Sequence, residues 1–391
     1  MRGKRLLCAL AGALAAVNLV VPASAAADPL RDVLLVGNAQ AGTVSFIDGH
    51  TFQVLGTLDA IPDLEQRLAA MNPIERIGYD IVNQQQGYKK FVDDIALSPD
   101  GRTLYVSRGN LADAVAYDVA SGRQLWRFKV DGFKADHAAI SPDGSKFIVS
   151  ALTVDKAQVI NTANGTLVTS FPTGTYPHAN DYSPDNTRFY NSSIGNVGLA
   201  KIFNGLKGKR QLTVVNPQNW QVTRTYQFEY GIRPALFMPD NKTMYVQLSY
   251  LNGIAEYDLN AGRIVRTVNL PYSAKAAAMS PDDYPQNSAH HGMAYAGDRI
   301  CAAGTIDDYT VLLGRPGLDV KSYVNYPADS LPYWATTSVD DKYCFVSLSK
   351  RNTISVIDYA AGKEVASIPV GNFPQRERLG KLASSAIAGL G

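Results

Sequence analysis

Four of the five histidines in this 391-residue chain stand shortly ahead of the same kind of turn. His137 and His178 precede Ser-Pro-Asp turns, and His290 and His291 precede Ala-Gly-Asp. Imidazoles bind metal ions and move protons near neutral pH. At matching places stand Asp93, Asp94 and Asp136, carboxylates able to orient or charge an imidazole. Arg233 adds a forked donor for a carboxylate or phosphate, Tyr333 a phenol and Trp334 an indole face. These residues are spread from Asp93 to Trp334, so they form a site only if the fold gathers them.

The turns themselves repeat. "ALSPDGRTLYVS" (Ala96–Ser107), "AISPDGSKFIVS" (Ala139–Ser150), "DYSPDNTRFYNS" (Asp181–Ser192) and "LFMPDNKTMYVQ" (Leu236–Gln247) are one phrase, with a degraded copy in "TTSVDDKYCFVS" (Thr336–Ser347). Each is a short apolar strand, a turn and an alternating strand. Proline presets the turn, Asp bonds back to the backbone, and Gly or Asn tolerates positive φ. A second phrase follows each first one. In it Asp118, Asn161, Asp258 and Asp358 stand four residues before Gly122, Gly165, Gly262 and Gly362, which reads as a glycine-closed hairpin.

Two hairpins per unit make a four-stranded antiparallel sheet, and its recurrence at intervals of roughly 42 to 55 residues marks a propeller blade. Seven units are counted, so the expected fold is all-β, a seven-bladed β-propeller. The first unit opens at "DVLLVGN", which matches a second strand, and the chain ends on "VGNFPQRERLG", which matches a first. Pro374–Leu379 should therefore supply the missing inner strand of blade 1 and close the ring. In blade 6, "HHGMAYAGDRICAAG" is taken as the first hairpin and "SPDDYPQNSA" as an inserted loop. The propeller is expected over residues 29–381, with 382–391 a flexible tail.

The wording of the repeat resembles the YVTN family of seven-bladed propellers, most closely in "GTYPHANDYSPDN" and "NTISVIDYAAGKEVASIPVGNFP". That family includes redox-enzyme subunits, among them the propeller chain of quinoprotein amine dehydrogenases, and surface-layer proteins. The resemblance implies the fold and leaves the function open.

Alternation of strand direction puts the tight SPDG turns on one face of the ring. Three long insertions fall on the other: Ile61–Lys90, containing the helically spaced "PDLEQRLAAM"; Gly195–Gln211, carrying Lys209 and Arg210; and Ser280–Ala289. Long loops on one face of a rigid scaffold are where binding usually occurs. Counting five residues back from each turn serine, or its equivalent, gives Gln375, Asp93, Asp136, His178, Arg233, His291 and Tyr333, one per blade. Arg376, Asp94, His137 and Trp334 follow one step inward, and His290 precedes His291. All should meet at one mouth of the channel, beneath the insertions.

Composition narrows the setting. Arg2, Lys4 and Arg5, the apolar run "LLCALAGALAAVNLVV" and "PASA" read as a secretory signal over residues 1–25, so a secreted product is expected. The 37 basic residues, three of them in that leader, nearly balance 35 acidic ones, which argues against a nucleic-acid partner. No later run is long and apolar enough for a membrane span, and a monomer is expected. By strand parity Cys301 and Cys344 either face each other across blades 6 and 7 or both point away. Two buried thiols are the expectation.

Three readings follow. The first is a binding scaffold, with a small-molecule, glycan or protein ligand at the mouth. Asp93, Asp94, Asp136, His137, His290, Trp334, Lys209 and Arg210 would line it, and His137, His178 and His291 could hold a divalent metal ion. The second is a propeller-fold uronate lyase using His178, His291, Tyr333 and Arg233 as catalytic groups. The third is an accessory subunit of a periplasmic redox enzyme.

Overall fold

The computed structural model describes residues 28–391, and the expected leader lies outside them. Twenty-eight strands form seven four-stranded antiparallel sheets around a central channel. The inner strands run Pro374–Ala383 in blade 1, Asp94–Leu97 in blade 2 and Ala135–Ile140 in blade 3. Those of blades 4 to 7 are Pro177–Tyr182, Ile232–Phe237, Gly292–Ala296 and Pro332–Thr337.

The repeated turn works as its residues suggest. Ser98, Ser141, Ser183 and Ser338 donate their hydroxyls to the Asp two residues on, at 2.5 to 2.7 Å. The next residue takes positive φ whether it is Gly101, Gly144, Asn186 or Asp341. Between blades the packing is apolar. Leu34 and Val36 of blade 1, for example, meet Phe345 and Val356 of blade 7 with no exposure.

The ring closes as expected. Pro374–Ala383 pairs antiparallel with Leu30–Asn38, in a register running from Leu30 opposite Ala383 to Asn38 opposite Pro374. The closing strand outruns its sequence estimate, and the segment expected to be a flexible tail is packed. Leu382, Ala383 and Ala386 are buried in the core of blades 1 and 2. Gly391 and Thr57 exchange backbone hydrogen bonds at 2.9 and 3.2 Å. Small apolar residues there fill space against the sheet.

The first insertion holds two helices, α1 (Leu64–Ala69) and α2 (Pro73–Gln86). Only the first was visible as helical spacing. The second starts from a reciprocal cap: Asn72 Oδ1 accepts from the Glu75 amide, and the Asn72 amide donates to Glu75, both at 3.0 Å. Buried Arg108 of blade 2 pins the insertion by pairing with Asp113 at 2.7 Å and with Asp63 just before α1. Among the described residues no helix is long and apolar enough to cross a membrane.

Cys301 and Cys344 form a disulfide between blades 6 and 7, which corrects the expectation of two thiols. Strand parity turned the side chains toward each other, and their Cα atoms are 6.5 Å apart, within bridging range. Reducing the bond, or replacing both cysteines with serine, should cost about 2–4 kcal/mol of stability. Urea unfolding with and without reductant measures it. Stoichiometric thiol labelling of the folded, unreduced protein would contradict the bridge.

Candidate functional site

One feature of the inner strands decides what faces the channel. Near the start of five of them the pairing with the second strand slips by one residue: at Ala135/Ala138, Pro177/Asn180, Ile232/Ala235, Pro332/Ala335 and Pro374/Arg376. An extra residue of this kind is a β-bulge, which re-aims side chains that strict alternation would send to opposite faces. Asp136 and His137 thus converge on the same cluster, and Tyr333 and Trp334 do likewise.

Three histidines from three blades meet there. One ring nitrogen each of His137, His178 and His291 lies within 4.8 Å of the others. His178 Nδ1 is 3.0 Å from Asp136 Oδ2, and His178 Nε2 is 3.2 Å from His291 Nε2. The His137 ring centroid lies 4.2 Å from that of His178 and 6.0 Å from that of His291. Tyr333 stacks on His291 at 4.1 Å. Both nitrogens of His137 and Nδ1 of His291 find no hydrogen-bond partner among the described residues.

Two buried lysines, unnoticed in the sequence, complete the surroundings. Lys90 Nζ is 2.8 Å from Asp93 Oδ1, while Lys134 Nζ bridges Asp93 at 2.6 Å and Asp136 at 3.2 Å. They precede these aspartates by three and two residues, a spacing unremarkable in any loop. Arg233 is wholly buried. Its Nε donates to Ser249 Oγ at 3.2 Å and its Nη2 to the Gln286 carbonyl, while Nη1 finds no partner among the described residues.

A second layer lies deeper in the channel. Arg378 holds both oxygens of Asp94, at 3.0 and 2.9 Å, and Arg376 pairs with the same carboxylate. The Arg376 guanidinium lies 3.5 Å from the centroid of the Trp334 ring. Beyond it, cavities of about 210 and 240 Å³ share Asp181 and Arg378 in their linings.

The insertions roof the mouth. Asp282, in the blade 6 insertion, accepts from the Lys201 amide of the blade 4 loop at 2.5 Å, and Asn287 holds Lys207 Nζ at 3.0 Å. Asp93, Asp136, His137, His178, Arg233, His291 and Tyr333 are each at most 3% exposed, and Trp334 is 7% exposed. Three expected lining residues fall elsewhere. His290 turns to Asn252 Oδ1 of blade 5, because neighbours in an extended chain point to opposite sides. Lys209 is exposed on the surface. Arg210 clamps its own loop through the carbonyls of Asn204, Gly208 and Glu229.

Burial sets the protonation. It pushes His178 down to about 4 against the pull of Asp136, and takes His137 and His291 well below the usual imidazole value. Burial works to raise Asp136, yet Lys134 and His178 outweigh it and hold that carboxyl well below its ordinary range. An ionised Asp136 can only accept, so His178 donates from Nδ1 and turns the Nε2 lone pair inward. The 3.2 Å contact then makes His291 Nε2 the donor. Three neutral imidazoles around one point can ligate a metal ion. Nitrogens at 2.0–2.1 Å from a tetrahedral ion stand about 3.3–3.4 Å apart, close to the 3.2 Å found between His178 and His291.

No protein-family model and no curated protein matches this chain. Solved structures do. Hydrazine synthase from Kuenenia stuttgartiensis is 16% identical, with 73% of this chain and 88% of that one covered at a TM-score of 0.56. The dihydro-heme d1 dehydrogenase NirN, solved in complex with DHE, is 12% identical, with 94% and 78% covered at 0.59. These likenesses show the fold alone.

The depressed imidazoles predict acid sensitivity. Unfolded histidines gain protons below 6.5, whereas native His178 does so only near 4. Stability from this group is complete above 6.5 and falls as pH drops from 6.5 to 4, with His137 and His291 extending the loss lower. Urea midpoints measured across that window should decline, and less steeply in a His178→Gln variant. Equal slopes in the two proteins would contradict the assignment.

Proposed function

We propose that this chain is an exported propeller of the YVTN type whose roofed channel mouth binds one divalent transition-metal ion. His137, His178 and His291 are the ligands, and Asp136 is the residue that orients His178. The observation that carries this reading is the convergence of three buried imidazoles with Asp136 behind one of them. Imidazole donors suit zinc, copper, iron or nickel, and a carboxylate on the far ring nitrogen raises ligand basicity. Export is supported by the leader in the sequence and by the buried Cys301–Cys344 bridge, since such bonds persist in oxidising compartments.

The metal reading is a sharper form of the binding scaffold expected from the sequence. A uronate lyase would need a polymer to reach His178, His291, Tyr333 and Arg233, and all four are buried, Arg233 against Gln286 of the blade 6 insertion. That geometry favours a small ligand over a glycan chain. A metal centre would also suit an accessory role in a redox assembly, with the roof as the contact face.

Metal analysis tests the proposal. The purified full chain, stripped and titrated with zinc or cobalt(II), should take up one ion. His137→Ala, His178→Ala and His291→Ala should each abolish that uptake or weaken it more than Asp136→Asn does. The Asp136→Asn change should cost about 10–100-fold in affinity. Absence of stoichiometric uptake by the folded wild-type chain would overturn the reading.

A further inference from the structure

We infer that the same site binds a small two-oxygen anion of the carboxylate type, with one oxygen on the metal ion and the other on Arg233. This rests on the metal reading above and adds the class of its ligand.

Charge is the first argument. Around the imidazole cluster lie the cations Lys90, Lys134 and Arg233, against the carboxylates Asp93 and Asp136, all nearly or wholly buried. With neutral imidazoles this inner shell already carries an excess of one positive charge. A divalent ion adds two more. Uncompensated charge in a buried site is strongly unfavourable, so the ion is accompanied by negative charge.

Coordination is the second. Three histidine ligands leave at least one position of a tetrahedral ion open to a water or an exogenous ligand.

Position is the third. Arg233 opens the inner strand of blade 5, between His178 on blade 4 and His291 on blade 6, the pair whose Nε2 atoms are 3.2 Å apart. Two of its guanidinium nitrogens are anchored, to Ser249 and to Gln286, so the side chain is held in place. The third, Nη1, is buried without a partner among the described residues. A buried donor in that state is costly unless something accepts from it. The Gln375 amide, on the blade beyond Tyr333, is likewise unpartnered among the described residues and offers a further contact.

The ligand must be small, because the roofed residues leave little exposure. Formate, acetate, bicarbonate and nitrite share the required chemistry.

Cobalt(II) bound to the full-length chain reports on this directly through its visible absorption. With cobalt saturating for each protein, sodium formate is titrated against sodium chloride at equal ionic strength. Formate should change the wild-type spectrum saturably and chloride should not. Arg233→Met should weaken formate by about 10–100-fold, the size of one charge-assisted hydrogen bond, and Arg233→Lys by less. A wild-type spectrum that formate leaves unchanged overturns this inference, whether or not the variants fold, and leaves the metal site standing. Equal formate affinity in wild type and Arg233→Met also overturns it. Failure of the wild-type chain to bind cobalt removes the metal reading itself, and this one with it.

Discussion

The pairing of the last strand with the first is the interaction on which the rest of this molecule depends. Pro374–Ala383 lies against Leu30–Asn38, so residues from opposite ends of the chain form one blade. Closure leaves no large open sheet edge and holds the inner strands around one channel. The closing strand also supplies side chains to the channel. Its Gln375, Arg376 and Arg378 all enter the channel, and two of them hold Asp94 of the neighbouring blade. Ring closure and the lower layer of the site are therefore one structural event, and the packed C-terminal segment belongs to it.

The centre of the ring is polar where most domains are apolar, and its charges are tolerated through pairing. Asp94 shows this well. Burial alone would raise it, but two guanidinium groups hold it down to about 2. Asp93 is equally buried and touches two lysines, yet its carboxyl is raised, because burial dominates and Asp136 adds a like charge beside it. Removing one partner from such a pair typically costs about 3–5 kcal/mol, since the other charge stays buried. A centre built this way contributes weakly to stability and strongly to geometry.

Much of this was legible in the sequence, for identifiable reasons. Ser-Pro-Asp turns and glycine-closed hairpins are local devices, so they announced strands, blades and ring closure without reference to tertiary context. Counting back from the turn serine found His178 and His291 because the inner strands are equivalent by repetition. The bulges were hidden. No residue type marks the slipped pairing at Ala135/Ala138, which lets Asp136 and His137 reach one cluster. Lys90 and Lys134 carry no signal in their spacing, because their partners Asp93 and Asp136 meet them only in the folded ring. Arg210 has the composition of a ligand-binding residue, yet its donors go to backbone carbonyls of its own blade and loop. The second helix could have been found, since Asn72-Pro73 followed by Glu75 is a helix-start signal. The disulfide was within reach too, for parity had already reduced the cysteines to facing or diverging.

The contact between His178 and His291 joins these themes. Asp136 fixes the tautomer of His178, and through the 3.2 Å contact that choice propagates to His291, whose proton must sit on Nε2 while its Nδ1 has no partner among the described residues. An incoming ion would replace this hydrogen bond and require His291 to carry its proton on Nδ1 instead. The two forms are neutral tautomers, one proton being lost from Nε2 and another gained at Nδ1, so no net proton need leave the buried site, whereas a thiol ligand must surrender one. Burial keeps both rings neutral, and the contact holds their Nε2 atoms 3.2 Å apart. Asp136 is in turn held ionised by Lys134 together with His178, so a lysine hydrogen-bonded to none of the three imidazoles helps set which nitrogen of His178 is free.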